Sequence, residues 1–248
     1  MAGDAYDRFM GLYSRPLAEN LADWLTVSAG QRVLDVGCGP GALTEQLVAR
    51  AGAEHVAAVD ASEAFVGACR SRLPGIDVRH GFAEALPFDD DTFDVAAASL
   101  VVHFMKDPRA GIMEMLRVTR PGGRVAATGW DLAGRRAPMW PVWDALAQVA
   151  PQMSDEGHVP GGVKGELVEL FESAGVLDVE GVDLEVTVTH PSFEEWWAPY
   201  LGKVGPVGDA LAALDASDLE RVRGHCLLRL GEEPFDLTAV AFAVRGRA

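Results

Sequence analysis

Over residues 31–130, short apolar runs alternate with longer stretches whose apolar positions recur every three or four residues. That is the pattern of βαβ units around a parallel sheet. Segments 32–36, 55–59, 76–79, 93–99 and 124–128 read as five strands. After the first, Leu43, Leu47 and Val48 fall at helical spacing. Ser62 follows the second and suits an N-cap, because its hydroxyl accepts from the amides of a first helical turn. Ile112, Leu116 and Thr119 mark the inner face of a later helix, which Pro121-Gly122-Gly123 is expected to stop.

Beyond residue 131 the rhythm changes. Val182, Leu184, Val186 and Val188 alternate with Asp183, Glu185, Thr187 and Thr189, a half-buried strand of period two. Residues 235–244 form a second, more apolar strand. A helix with Leu167, Leu170 and Phe171 inward and Gly175 as its stop precedes this pair. Segments 132–164 and 191–233 carry Trp140, Trp143, Trp196 and Trp197 among prolines and break the pattern, as helical excursions over one edge of the sheet. Residues 6–25, with Pro16 near a helix start, predict a helical flank. The expected fold is α/β: a Rossmann-like, seven-stranded, mostly parallel sheet with an antiparallel C-terminal strand pair and helical cap insertions. We expect one domain, with a flank at 1–30, a core at 31–131, and caps at 132–164 and 191–233. Segments 165–190 and 234–248 complete the core.

Charge narrows the partners. Lys and Arg number 21 against 37 Asp and Glu, a net −16. Neither nucleic acid nor an anionic membrane surface is an expected partner, since both need clustered cations. The longest apolar run, 95–105, is broken by Ser99 and His103 and is far shorter than the roughly 18–20 residues that span a bilayer. The opening MAGDAYDRFM has no basic and apolar export signal. Cys38, Cys69 and Cys226 are too few and too scattered for a disulfide framework or a zinc site. No His, Asp or Glu pair sits at metal-ligand spacing. The expectation is a cytoplasmic protein acting on a small molecule without a metal; nothing in the sequence sets its oligomeric state.

The segment Val33-Leu34-Asp35-Val36-Gly37-Cys38-Gly39-Pro40-Gly41-Ala42 carries the chemistry. Glycines between a strand end and a helix start let a ligand approach the backbone where a Cβ would collide, and residues 37–42 also satisfy G-x-G-x-x-A. Asp60 ends the next strand, where a carboxylate suits a ribose diol. A tight structural turn is the alternative. A pyrophosphate on this loop would meet the repulsion of Asp35, whereas an α-ammonium group would be attracted. Asp35 can equally serve the loop's own shape.

The glycine loop VLDVGCGPGALT, Asp60, the stretch Gly81-Phe82-Ala83-Glu84-Ala85-Leu86-Pro87-Phe88, Asp91-Thr92-Phe93-Asp94 and RVTRPGGRV resemble the class I S-adenosylmethionine-dependent methyltransferases. The small-molecule subgroup with the ubiquinone/menaquinone C-methyltransferases is the most similar, with motifs from about Arg32 to Trp130. The resemblance implies S-adenosylmethionine as cofactor. Asp35, Gly37, Cys38, Gly39 and Gly41 would lie around its methionine part, with Asp60 on the ribose and Ala61 and Ser62 beside adenine. The family's G-D-A-E-x-L-P-F stretch offers an aspartate to adenine. Phe82 stands there instead, leaving the Ala83 amide and stacking by Phe82. Glu84 reads as a ligand or a structural carboxylate. Ser99 and Leu100 would face the sulfonium. By the same resemblance Tyr6, Phe9, Tyr13 and Arg15 would close over the cofactor, Arg15 on its carboxylate, unless this helix simply buries its aromatics.

Methyl transfer from a sulfonium draws mainly on proximity and alignment, and needs a base only when the nucleophile starts protonated. His103, just past the fourth strand, is the candidate catalytic residue, against a structural role; His158, His190 and His225 are lesser candidates. His55 and His80 read as surface residues. The tryptophans and Tyr200 either wall an acceptor pocket or fasten the excursions. Two rivals share these signals: a nicotinamide-dependent oxidoreductase, and a cofactor-binding protein without catalysis.

Overall fold

The computed structural model describes residues 10–153, 159–202 and 205–248. Tyr6, Phe9 and His158 therefore lie outside the described residues. The chain begins with α1 (Gly11–Trp24) and then alternates β1 (Val33–Val36), α2 (Ala42–Ala51), β2 (Val56–Asp60), α3 (Glu63–Arg72) and β3 (Asp77–His80). Then come β4 (Phe93–Ser99), α4 (Pro108–Val118), β5 (Thr119–Trp130), α5 (Trp140–Val149) and α6 (Glu166–Ala174). The remainder is β6 (Leu177–His190), α7 (Phe193–Trp197), α8 (Gly205–Ala212), α9 (Ala216–Leu230) and β7 (Phe235–Arg247).

The seven strands form one sheet in the order β3-β2-β1-β4-β5-β7-β6. The first five strands pair in parallel, and β7 runs antiparallel to both β5 and β6. The expected C-terminal pair is present, with β7 inserted between β5 and β6. Every residue of β1 is buried, which is why its sequence is a continuous apolar run broken only by Asp35. In β6 only Val186 and His190 are fully buried, as an alternating edge strand requires.

Helices cover both faces. On one, Ile112 and Met115 of α4 and Leu167 and Phe171 of α6 pack against Leu34, Ala96 and Val125. On the other, Leu21 of α1 and Leu43 and Leu47 of α2 pack against Val33, Val95 and Ala126. Each such Leu, Ile or Phe contributes roughly 1.5–3 kcal/mol by leaving water. Ser62 caps α3, accepting from the Phe65 amide, and Gly175 ends α6 in the left-handed region.

The end of α4 and the place of Pro16 differ from expectation. Helix α4 stops at Val118, and Thr119, expected on its inner face, opens β5, its hydroxyl donating to the Met115 carbonyl at 2.7 Å. Pro121-Gly122-Gly123 lies inside β5, where a Cβ on Gly123 would come 2.8 Å from the Asp94 carbonyl. These glycines let two strands pass closely, and the helix had already ended. Pro16 sits in the second turn of α1 and not at its start.

The two excursions supply α5 and α7–α9, which pack on one another and on the β5-β7-β6 side of the sheet through Trp143, Trp196, Trp197, Tyr200, Val222 and Cys226. None of these tryptophans, nor Tyr200, borders either of the cavities described below. Their large apolar area is consumed in fastening the excursions to Ala239, Ala241 and Val186.

Candidate active site

In the order 3-2-1-4 the chain departs in opposite directions from β1 and β4, so a crevice opens beyond their carboxyl ends. A cavity of about 430 Å³ occupies that crevice. Asp35, Gly37, Cys38 and Gly39 come to it from the end of β1, Asp60, Ala61 and Ser62 from β2, and Ser99 and Leu100 from β4. Phe82, Ala83 and Glu84 close one side, and Ser14 of α1 contributes from another.

The loop spends its own amides. Gly37 and Cys38 donate to the Val59 carbonyl at 2.7 and 3.0 Å, Gly41 donates to the Cys38 carbonyl at 2.9 Å, and Gly39 donates to Asp60 Oδ2 at 2.8 Å. The other Asp60 oxygen accepts from the Ser62 amide at 2.8 Å. A phosphate cradle needs unspent amides and no carboxylate among them. This loop has the reverse. Gly37 has φ +71°, and a Cβ there would overlap Val101. Each Asp60 oxygen keeps a second lone pair for a ribose hydroxyl.

Asp35 is 1% exposed. Its Oδ2 accepts from Thr44 Oγ1 at 2.6 Å, whereas Oδ1 is buried without a partner. Burial raises its pKa from 3.8 to about 7. Four buried side-chain polar atoms lack partners among the described residues: Ser14 Oγ, Asp35 Oδ1, Trp130 Nε1 and Trp196 Nε1. The first two belong to this one cavity. A buried carboxylate oxygen and a buried hydroxyl, both without a partner among the described residues, fit an ammonium donor. Cys38 is no nucleophile: a hydrogen bond with Cys69, then burial, pushes its thiol far up.

The remaining sequence candidates lie elsewhere. Gly41 caps α2 at φ +99° and packs against Cys69, outside the cavity lining. Tyr13 turns inward, 3% exposed, and its hydroxyl meets His190 Nε2 at 2.6 Å. Arg15 sits on the exposed face of α1 and does not border the cavity. The phase of the helix decides this, since it turns Ser14 to the crevice and its neighbours away. Glu84 lines the cavity but gives one oxygen to the Lys106 and Asp107 amides, at 2.7 and 3.2 Å, a structural task. His80 bonds the Ala61 carbonyl at 3.0 Å, and His55 is half-buried beside Glu54.

A second cavity of about 410 Å³ adjoins the first and shares Phe65, Leu100 and Phe104 with it. His103, in the short 3-10 turn after β4, lines this cavity and not the first. Burial lowers its pKa to about 4. It is therefore a neutral imidazole, and a weak base at physiological pH. Leu100 stands between the cavities in the left-handed region at φ +61°, its amide held by the Thr128 carbonyl and hydroxyl at 3.1 and 3.2 Å. Ser14, Phe65 and Trp130 escaped the sequence reading. Trp130 alone had a signal, its place at the carboxyl end of β5, where sites gather.

Known proteins share the core sequence and the fold. Residues 34–127 match the family model described as a methyltransferase domain. A malonyl-[acyl-carrier protein] O-methyltransferase of Erwinia billingiae is 37% identical over 124 residues, 50% of this chain and 48% of that one. A demethylmenaquinone methyltransferase of Clavibacter sepedonicus is 43% identical over 100 residues, 39% of this chain and 40% of that one. The chain thus spans less than half the length of these relatives. Among solved structures, an Anabaena variabilis protein described as a methyltransferase from an antibiotic biosynthesis pathway superposes with a TM-score of 0.63 at 18% identity, covering 95% of this chain and 100% of that one. At that identity the likeness is one of fold. The chain resembles the class I S-adenosylmethionine-dependent methyltransferases in its core sequence, and its Rossmann-like sheet is theirs.

Proposed function

We propose that this protein is an enzyme that moves a methyl group from S-adenosylmethionine to a small organic acceptor. The observation that carries the reading is the unpartnered, buried Asp35 Oδ1 beside a glycine loop whose amides are already spent. That combination suits a cationic nucleoside without phosphate. It disfavours the nicotinamide reading, because Asp35 would repel a pyrophosphate placed on the loop.

The cofactor supplies an electrophilic methyl on a sulfonium, already attached to a good leaving group. Asp35 and Ser14 would hold the ammonium end, and Asp60 would take the ribose hydroxyls. Ala61, Ser62, Phe82 and Ala83 would enclose the base, with the Phe82 ring replacing a carboxylate acceptor. Ser99 and Leu100 would then flank the reacting centre, at the wall shared with the second cavity, which we assign to the acceptor. Alignment across that wall is the chief catalytic contribution of the chain, and His103 acts as a neutral hydrogen-bonding group. Three free, buried thiols accord with the cytoplasmic setting we infer. No described helix is long and apolar enough to cross a membrane.

Calorimetric titration with S-adenosylhomocysteine and, separately, NADH tests the cofactor. The first should bind with micromolar or better affinity and the second should not. Asp60→Ala should weaken the first at least about 10-fold, the loss of charged hydrogen bonds worth roughly 1.5–3 kcal/mol each. Unchanged affinity would remove the ribose assignment. Formation of S-adenosylhomocysteine with an acceptor separates catalysis from mere binding.

A further inference from the structure

The hydrogen bonds behind Asp35 run in one direction. Thr44, in the first turn of α2 and 0% exposed, borders neither cavity. Its hydroxyl donates to Asp35 Oδ2 at 2.6 Å. The same hydroxyl oxygen accepts from Cys69 Sγ of α3 at 3.8 Å, and Cys69 accepts in turn from the Cys38 thiol. A hydroxyl has one proton, and with the thiol donating to its oxygen that proton is left for the carboxylate. Asp35 ends the chain, because an ionised carboxylate only accepts.

Burial opposes the charge on Asp35 and lifts its carboxyl to about 7, with added repulsion from Asp60, whereas the Thr44 hydroxyl and amide pull the other way. The titratable groups that face Asp35 among the described residues are Asp60 at the end of β2, Cys38 in the loop and Cys69 on α3. The flanking strands set only Ala58 and Ala97 beside it. None of these is a cation, so the side chain that favours the charged form is Thr44.

We propose that Thr44 is a positioning residue for the cofactor: acting through Asp35, it keeps a negative charge in the wall of the first cavity. The inference deepens the methyl-transfer reading and rests on it for the identity of the ligand. Asp35 lines that cavity, and a charge attracts an ammonium group through space without direct contact. Thr44 itself touches no ligand.

The test titrates the whole 248-residue chain with S-adenosylhomocysteine by calorimetry from pH 6 to 8.5, as wild type, Thr44→Val and Thr44→Ser. A neutral carboxyl does not attract the ammonium, so affinity rises with pH as Asp35 ionises. Thr44→Val keeps the shape and the amide but loses the hydroxyl, and Asp35 should ionise at least about one pH unit later. Its affinity deficit against wild type should therefore be at least about 5-fold larger at pH 6.5 than at pH 8.5. The ligand's own titration cancels in that ratio. Thr44→Ser should follow the wild type. A deficit equal at every pH, the mark of a merely structural loss, or a serine variant that behaves like the valine one, would overturn the inference. Thr44→Ala, which also lacks the hydroxyl and adds no bulk, replaces the valine variant if that one does not fold. A second readout needs no ligand. In carboxyl-13C NMR the Asp35 signal, identified by its loss in Asp35→Asn, should titrate near pH 7 in the wild type and later in Thr44→Val. That later midpoint without nucleoside binding removes the cofactor reading alone; an unchanged midpoint with nucleoside binding removes this one.

Discussion

Replacing Asp35 by asparagine should move ligand affinity and stability in opposite directions. The amide preserves the shape, and its oxygen can accept from Thr44 as Oδ2 does now at 2.6 Å. Its NH₂ then occupies the place of the unpartnered Oδ1. An ammonium donor would meet another donor. The loss of one charge-assisted hydrogen bond, roughly 1.5–3 kcal/mol, weakens S-adenosylhomocysteine binding by about 10- to 150-fold. Without ligand the sign reverses. The Asp35 carboxyl is raised from 3.8 to about 7 by burial, so the folded chain holds a proton that the unfolded chain has released. Stability must fall as pH rises from about 4 to 7. At about 1.4 kcal/mol per pH unit the penalty above pH 7 approaches about 4 kcal/mol, an upper bound for a group this dry. The uncharged amide of the Asp35→Asn variant escapes it. The ligand-free variant should therefore melt higher than the wild type at pH 8 and no higher at pH 4, while its ligand-induced rise in Tm shrinks. Calorimetry and thermal melts at both pH values measure the pair of effects. Equal affinity, or a variant less stable than wild type at pH 8, would refute the account of this carboxylate.

Other outcomes follow from single positions. Gly37→Ala meets Val101 and a left-handed φ at once and should cost at least about 2 kcal/mol. Gly39→Ala, with φ +53° and open space around its Cβ, should cost only about 1–2 kcal/mol; equal losses in chemical denaturation would contradict the crowding. His103 should stay neutral in an NMR pH titration down to about pH 5, since its pKa is lowered to about 4; protonation near 6.5 would restore it as a candidate base. Tyr13→Phe leaves the buried His190 ring nitrogen unpaired and should destabilise the fold by about 1–3 kcal/mol. Burial lowers the His190 pKa, so its unfolded form takes the proton first. Stability should decline as pH falls below about 6.5, and acid melts in which His190→Gln loses that dependence would check it.

Local pattern along the chain is enough to locate the core. Strand positions, the capping serine at 62, the stop at Gly175 and the glycine loop are all local, set by periodicity within one element or by backbone freedom at one turn. Asp35, Asp60 and Ser99 were legible for the same reason: each sits at a strand end, and in a parallel sheet strand ends converge. Tertiary packing decided what local pattern cannot encode. The phase of α1 against the sheet put Ser14 on the crevice and sent Tyr13 to His190, although the two are adjacent in sequence. Desolvation made His103 a neutral group, and no property of the residue type foretells its burial. The tryptophans of the excursions were spent on fastening helices to β6 and β7, so the aromatic walls of the second cavity came from Phe65, Phe104 and Trp130. Which buried atom keeps an unmet hydrogen bond is a property of the whole packed molecule, because it depends on every neighbour that could have met it.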